Sequence, residues 1–281
     1  MELILPSSIK PLGTWCINWP MRSILYKSIR ILYNRSKNLL ELITENEDEV
    51  QQELAVYLRV IEIHSGYFRE MKSTEKQRFV YRCYRFNKNK TYQYTGMEPD
   101  AMIPILVSAA AVQITFGLRN YRMSYFRKIF ISADAYTYGN SDIPWAGHVN
   151  RRGIYLSWKH FREGLAQEND RNNVGLHEMA HALVYSNFLD IANAETHFIE
   201  QFELYRIRFH LNESEGLERG GLFTPQAFKN YHECWAEGVE LFFENPHELY
   251  EKYPEIYNCI KNILNQDSLN QVKISRTSLV K

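Results

Sequence analysis

Three residues near the middle of the chain, His177, Glu178 and His181, have the types and spacing for metal-assisted hydrolysis. They lie in the run VGLHEMAHALVYSNF, Val174 to Phe188. In a helix each residue turns about 100°, so side chains four apart stand nearly above one another, and two imidazoles can grip one cation from the same face. Glu178, one position on from His177, comes down beside that cation, where a carboxylate can take a proton from water. His-Glu-x-x-His is the pattern of zinc hydrolases, and it needs a helix beneath it. Val174, Ala180, Leu183 and Val184 supply the apolar stripe of such a helix. Gly175 and Ala180 leave room for a neighbouring element, and no proline interrupts 172–189.

Two histidines need a third protein ligand. A histidine ten residues after the first is excluded, because that position is Asn187. Glu200, with His197 close by, follows His181 after 18 intervening residues, a spacing used by zinc aminopeptidases, although the asparagine that precedes their glutamate is missing. The other candidate is Glu233, in YHECWAEGVELFF. Glu233, Glu237 and Glu240 share one helical face, where three carboxylates repel unless they are solvated or neutralised by a cation. Spacing leaves both candidates open.

The elements that must position these residues read as mostly helical. Helices are predicted over 21–44, 49–67, 74–86, 100–116, 159–165 and 194–211, from Thr224 to the residue before Pro246, and over 254–265. Thr74 to Gln77 reads as a capping box, and Thr224-Pro225 as a helix start. The small run Ser108 to Ala111 suits tight packing against the His-Glu-x-x-His helix, with Pro104 in the first turn of its own. Strands are predicted over 127–133 and 153–158, and loops over 87–95, 134–152 and 212–222. Residues 1–20 read as irregular and the tail from 268 as polar. The expected fold class is α+β, predominantly helical, with a small sheet beside the His-Glu-x-x-His helix. An exposed edge of that sheet can take a peptide as an added strand.

Composition bounds the rest. The chain has 281 residues, 45% of them hydrophobic and 23% charged, with a formal net charge of +0. That balance gives no electrostatic case for nucleic acid or an anionic membrane. The 19 Tyr and 15 Phe suit a sizeable core. Cys16, Cys83, Cys234 and Cys259 form no CxxC pair and read as free thiols. No stretch reaches about 18 uninterrupted apolar residues, and no signal-peptide order opens the chain, so a cytoplasmic protein without a membrane span is expected.

From Ile103 to Asp267 the chain resembles the Mlc titration factor A family of zinc metallopeptidases, whose catalytic domain is similar to that of anthrax lethal factor. The matching segments are IPILVSAAAVQITFGL, KIFIS, GIYLSW, NVGLHEMAH and ECWAEGVELFFENP followed by YPEIY, in the family's order. The resemblance implies a zincin-type metallopeptidase domain over 98–267; the residues before it, 1–97, read as an N-terminal helical region packed on the core, and 268–281 as a flexible tail. It implies a Zn2+ ion held by His177, His181 and Glu233, with Glu178 as the general base acting on zinc-bound water. Glu240 matches a glutamate of the family and reads as orienting a ligand. The family often has a tyrosine seven residues before its ligand glutamate, where this chain has Gln226, so Tyr231 is the nearest substitute for stabilising the oxyanion. Glu237 stands where the family has an apolar residue. The implied function is gluzincin-type peptide hydrolysis, of the aminopeptidase kind. The alternative is a regulatory protein that sequesters a transcriptional repressor, with a latent or structural zinc site.

Overall fold

The alternation read in KIFIS and GIYLS belongs to two neighbouring strands, but they do not stand alone. The structure, a computed structural model, describes residues 47–139, 142, 144–167, 172–213 and 221–269, with the backbone alone for 209–213. The expectations for 1–46 and for the tail from 270 lie outside these residues.

The sheet has four strands in the order β1-β2-β4-β3. β1 is Thr91–Thr95, β2 Lys128–Ser132, β3 Gly147–Asn150 and β4 Gly153–Ser157. β1 and β4 both run parallel to β2, while β3 lies antiparallel to β4. Ile129, Ile131, Ile154 and Leu156 fill the inner face and are buried. Two of the four strands correct the expectation of loops. TYQYT alternates half-buried Tyr92 and Tyr94 with exposed Thr91, Gln93 and Thr95, an edge-strand pattern inside a polar stretch. GHVN is four residues long and pairs through its tight connection to β4.

Ten α-helices surround the sheet among the described residues: α1 Glu47–His64, α2 Gly66–Arg69, α3 Ser73–Asn87, α4 Met102–Thr115, α5 Trp158–Ala166, α6 Val174–Leu189, α7 Thr196–Glu213, α8 Tyr231–Glu244, α9 Pro246–Lys252 and α10 Pro254–Leu264. The helix read over 49–67 breaks at Ser65, whose side chain caps α2 by accepting the Phe68 N–H at 3.2 Å. The capping box at Thr74 is not formed. α3 starts a residue earlier, at Ser73, and has no side-chain cap. Thr224-Pro225 opens only a 3-10 turn at Ala227–Lys229. The long helix starts afresh at Tyr231, where Asn230 accepts the N–H groups of His232 and Glu233 at 2.9 and 3.1 Å.

α6 is the centre of the packing. α4, with Ser108 and Ala109 to Ala111 buried, lies against it, as do α8, β3 and β4. Gly175 lets α5 approach, since a Cβ there would stand 2.5 Å from the Phe161 ring. Trp235 of α8 is fully buried, and its indole N–H donates to the Ala180 carbonyl at 3.0 Å. Burial of a ring that size contributes on the order of 3 kcal/mol, and the bond fixes how α8 sits on α6.

Candidate metal centre

α6 begins where Asn173 accepts the Leu176 N–H at 3.0 Å. From that start His177 and His181 fall one turn apart, with ring centroids 4.9 Å from each other at 74°. The Asn230 cap starts α8 so that Glu233 sits in its first turn and faces them. One Glu233 oxygen lies 3.5 Å from His177 Nε2 and the other 3.5 Å from His181 Nε2. One ligand atom from each of the three lies within 4.8 Å of the others, and no other such group of His, Cys, Asp or Glu occurs among the described residues.

The back of the site is held just as firmly. His177 Nδ1 is 3.1 Å from Glu240 Oε2. A carboxylate there accepts from Nδ1–H and leaves the Nε2 lone pair for a cation. The other Glu240 oxygen accepts the Asn173 N–H, and the Asn173 amide donates to Glu244 at 2.8 Å. Asn173 therefore starts α6 and positions the carboxylate that orients its first histidine.

Glu178 is buried, and its Oε2 has no hydrogen-bond partner. β3 presses on it from the opposite side. A Cβ at Gly147 would lie 2.6 Å from Glu178 Cγ and 2.8 Å from Oε1, so any larger residue there must push the Glu178 side chain aside.

Five ionisable groups, His177, Glu178, His181, Glu233 and Glu240, share this space and shift each other. Burial pushes Glu178 up to about 7, with the His177 charge opposing and Glu233 and Glu240 adding to the rise. Burial and the His177 charge push His181 down to about 3, against the pull of Glu233. Burial also disfavours charge on His177, but its hydrogen bonds to Glu233 and Glu240 outweigh that and hold the imidazole well above its usual range. The hydrogen bond to His177 keeps Glu233 below the usual carboxylate range. Carboxylates that hold a proton on an imidazole here can hold a divalent cation in its place. Two imidazole nitrogens, one carboxylate and a further unbonded carboxylate beside them fit the donor set of a catalytic zinc site.

The centre opens into a cleft of about 1150 Å³ walled by α6, α7, α8, the β3 run and the segment 224–231. Of the two third-ligand candidates, the structure brings Glu233 to the histidines and leaves Glu200 exposed on α7. His197 is turned away, its ring nitrogen 2.7 Å from the Asn262 carbonyl oxygen. Tyr231 is half-buried on the cleft wall, its ring 4.1 Å from that of His232. Glu237 is not solvated. It accepts the Thr224 N–H and, at 2.8 Å, the Thr224 hydroxyl, which anchors the segment leading to Tyr231. Reading residues alone missed Asn173, Glu244 and Gly147. The Asn before an apolar helical run was a usable cap signal for Asn173. Nothing local marked Gly147, whose need for a missing Cβ comes from a helix 31 residues further on.

Residues 44–264 match the family model described as glucose-regulated metallo-peptidase M90. No curated protein matches the chain. A metallopeptidase family implies a divalent metal and peptide or protein substrates. No helix among the described residues is long and apolar enough to cross a membrane. The chain therefore belongs to the glucose-regulated metallopeptidase M90 family, the Mlc titration factor A family that its sequence resembles.

Proposed function

We propose that this protein is a zinc-dependent peptidase of the gluzincin type. The observation that carries the reading is the meeting of His177, His181 and Glu233 within 4.8 Å, beside a buried Glu178 oxygen that has no partner. His177 Nε2, His181 Nε2 and a Glu233 oxygen would hold the ion. When bound, zinc supplies Lewis acidity to the scissile carbonyl and to the attacking water. Glu178 takes the proton of that water through its unbonded oxygen and passes it to the leaving amine. Glu240 keeps His177 in the tautomer that binds. Tyr231, on the wall next to the ligand helix, donates the hydrogen bond that stabilises the oxyanion.

The edge of β3 orients the substrate. Ser157 N–H donates to the Ala146 carbonyl, and His148 and Asn150 stand opposite Tyr155 and Gly153. In an antiparallel pair bonded and non-bonded positions alternate, so the backbone groups of Gly147 and Val149 point away from β4. An extended peptide adds there as a further strand, which sets its backbone beside Glu178.

A peptide-cleavage assay with Glu178→Gln and Tyr231→Phe tests the reading. The expected result is chelator-sensitive cleavage by the wild type, a loss of at least about 10³-fold in kcat for Glu178→Gln with its metal retained, and about 10²-fold for Tyr231→Phe. Full activity of Glu178→Gln would reject the assigned base. An N-acetylated twin of the best substrate separates aminopeptidase action, which needs a free amino terminus, from internal cleavage.

A further inference from the structure

We infer that the C-terminal half of α6 forms a side-chain subsite that selects an apolar or aromatic residue of the peptide substrate. The inference rests on the peptidase reading and names its specificity. Val184, Tyr185 and Phe188 follow His181 by three, four and seven positions, so the helix face that presents the imidazoles continues into the cleft as an apolar floor. Phe188 is 36% exposed and Leu189 41%, whereas Ala182, Leu183, Val184, Ser186 and Asn187 between them and His181 are buried, so Val184 supports the floor from beneath. The Phe188 ring packs edge-on against buried Phe202 of α7 at 5.7 Å, which fixes it without covering it. Across the cleft Trp145, 40% exposed, stands two residues before Gly147. Large apolar side chains left open to water mark a binding surface, and Phe188, Leu189 and Trp145 line the same cleft as His177, His181 and Glu233.

The charged pair beside Phe202 does not offer an ionic alternative. Glu203 and Arg206, one residue and one turn beyond Phe202, are paired to each other at 2.6 and 2.9 Å. Seven residues of helix at about 1.5 Å each put Phe188 roughly 10 Å from His181. An extended peptide covers that span in about three residues at roughly 3.3 Å each. The selected side chain therefore lies one to three residues from the scissile bond, on the side that runs along the end of α6. A charged side chain packed on the Phe188 ring would lose hydration against an apolar wall.

The test is cleavage of a random peptide library by the zinc-loaded, full-length protein, read by mass spectrometry, with kcat/KM measured on one selected peptide and on its twin with Ala at the preferred position. The expected result is enrichment of Leu, Ile, Phe or Tyr at a single position within three residues of the cut. Phe188→Ala should lower kcat/KM about tenfold for the selected peptide and less than twofold for the Ala twin. Leu189→Lys should reduce the apolar preference and admit acidic residues. Ile191→Ser, 73% exposed and outside the cleft lining, should leave both unchanged. Chelator-sensitive cleavage without side-chain preference, or equal losses on both peptides, overturns this inference and leaves the peptidase reading standing. A wild type that cleaves no peptide in the library overturns both.

Discussion

Two helices of this protein each carry a series of glutamates, and the two series meet different surroundings. On α8, Glu237, Glu240 and Glu244 are buried and Glu233 is half-buried. Each meets a donor from another element: the histidine pair for Glu233, Thr224 for Glu237, His177 and Asn173 for Glu240, and Asn173 for Glu244. On α7, Glu200 faces water, and Glu203 pairs with Arg206 one turn along its own helix. The amino acid and the helical setting are the same. The difference is that α8 lies against α6 and the segment that starts α6, so its acidic face looks at imidazoles and backbone N–H groups. A carboxylate faces an imidazole pair, a helix start or a loop according to the donor that the packing sets opposite it.

The contrast breaks first if the helices trade roles. Glu233→Ala should reduce peptide cleavage by roughly 10³-fold or more, since it removes one of three ligands, whereas Glu200→Ala should stay within twofold. Activity measured on one substrate for both variants decides this, and the reverse ranking would move the site to α7. Next comes the pressure of β3 on Glu178. Gly147→Ala puts a methyl 2.6 Å from Glu178 Cγ, which displaces the carboxylate. We expect about a 10²-fold loss of kcat with the metal content unchanged, because a shift of the order of 1 Å costs that much. An unaltered kcat would show that Glu178 does not need that wall.

Smaller effects sharpen the comparison within α8. Glu240→Gln should weaken metal affinity 10- to 100-fold by loosening His177, as read by competition with a chelator of known affinity. Glu237→Ala removes the carboxylate that accepts the Thr224 N–H and hydroxyl; Thr224 is exposed, so water can replace it, and stability should fall by about 1 kcal/mol in a denaturant titration. Its metal affinity should shift less than that of Glu240→Gln, and a larger shift would mean that Glu237 belongs to the metal centre rather than to the 224 anchor.

Much of α6 is legible in the sequence because its information is local. The four-residue histidine step, the apolar stripe and the absence of proline all lie within one helix. Glu233 is not legible in that way. It reaches the histidines through the register of α8 on α6, which depends on Trp235 bonding to Ala180 and on the Asn230 cap, and neither is encoded by distance along the chain. Resemblance to a family pointed to Glu233 where periodicity left two candidates, and the structure sets Glu233 against the histidine pair. β1 and β3 escaped notice because edge strands this short carry polar residues on the outer side, and four or five positions give little alternation to read. Glu237 shows the same point from the other side. It read as a solvated or repelling charge until Thr224, 13 residues earlier, came to meet it.

The central claim is that an imidazole pair and one distant carboxylate hold a divalent ion. Its most direct test is the zinc content of the purified full-length protein after chelator treatment, reloading and desalting, measured by inductively coupled plasma mass spectrometry beside Glu233→Ala. The account predicts about one zinc per wild-type chain and essentially none retained by the variant. A wild type that keeps no zinc, or a Glu233→Ala protein that keeps as much as the wild type, would contradict it.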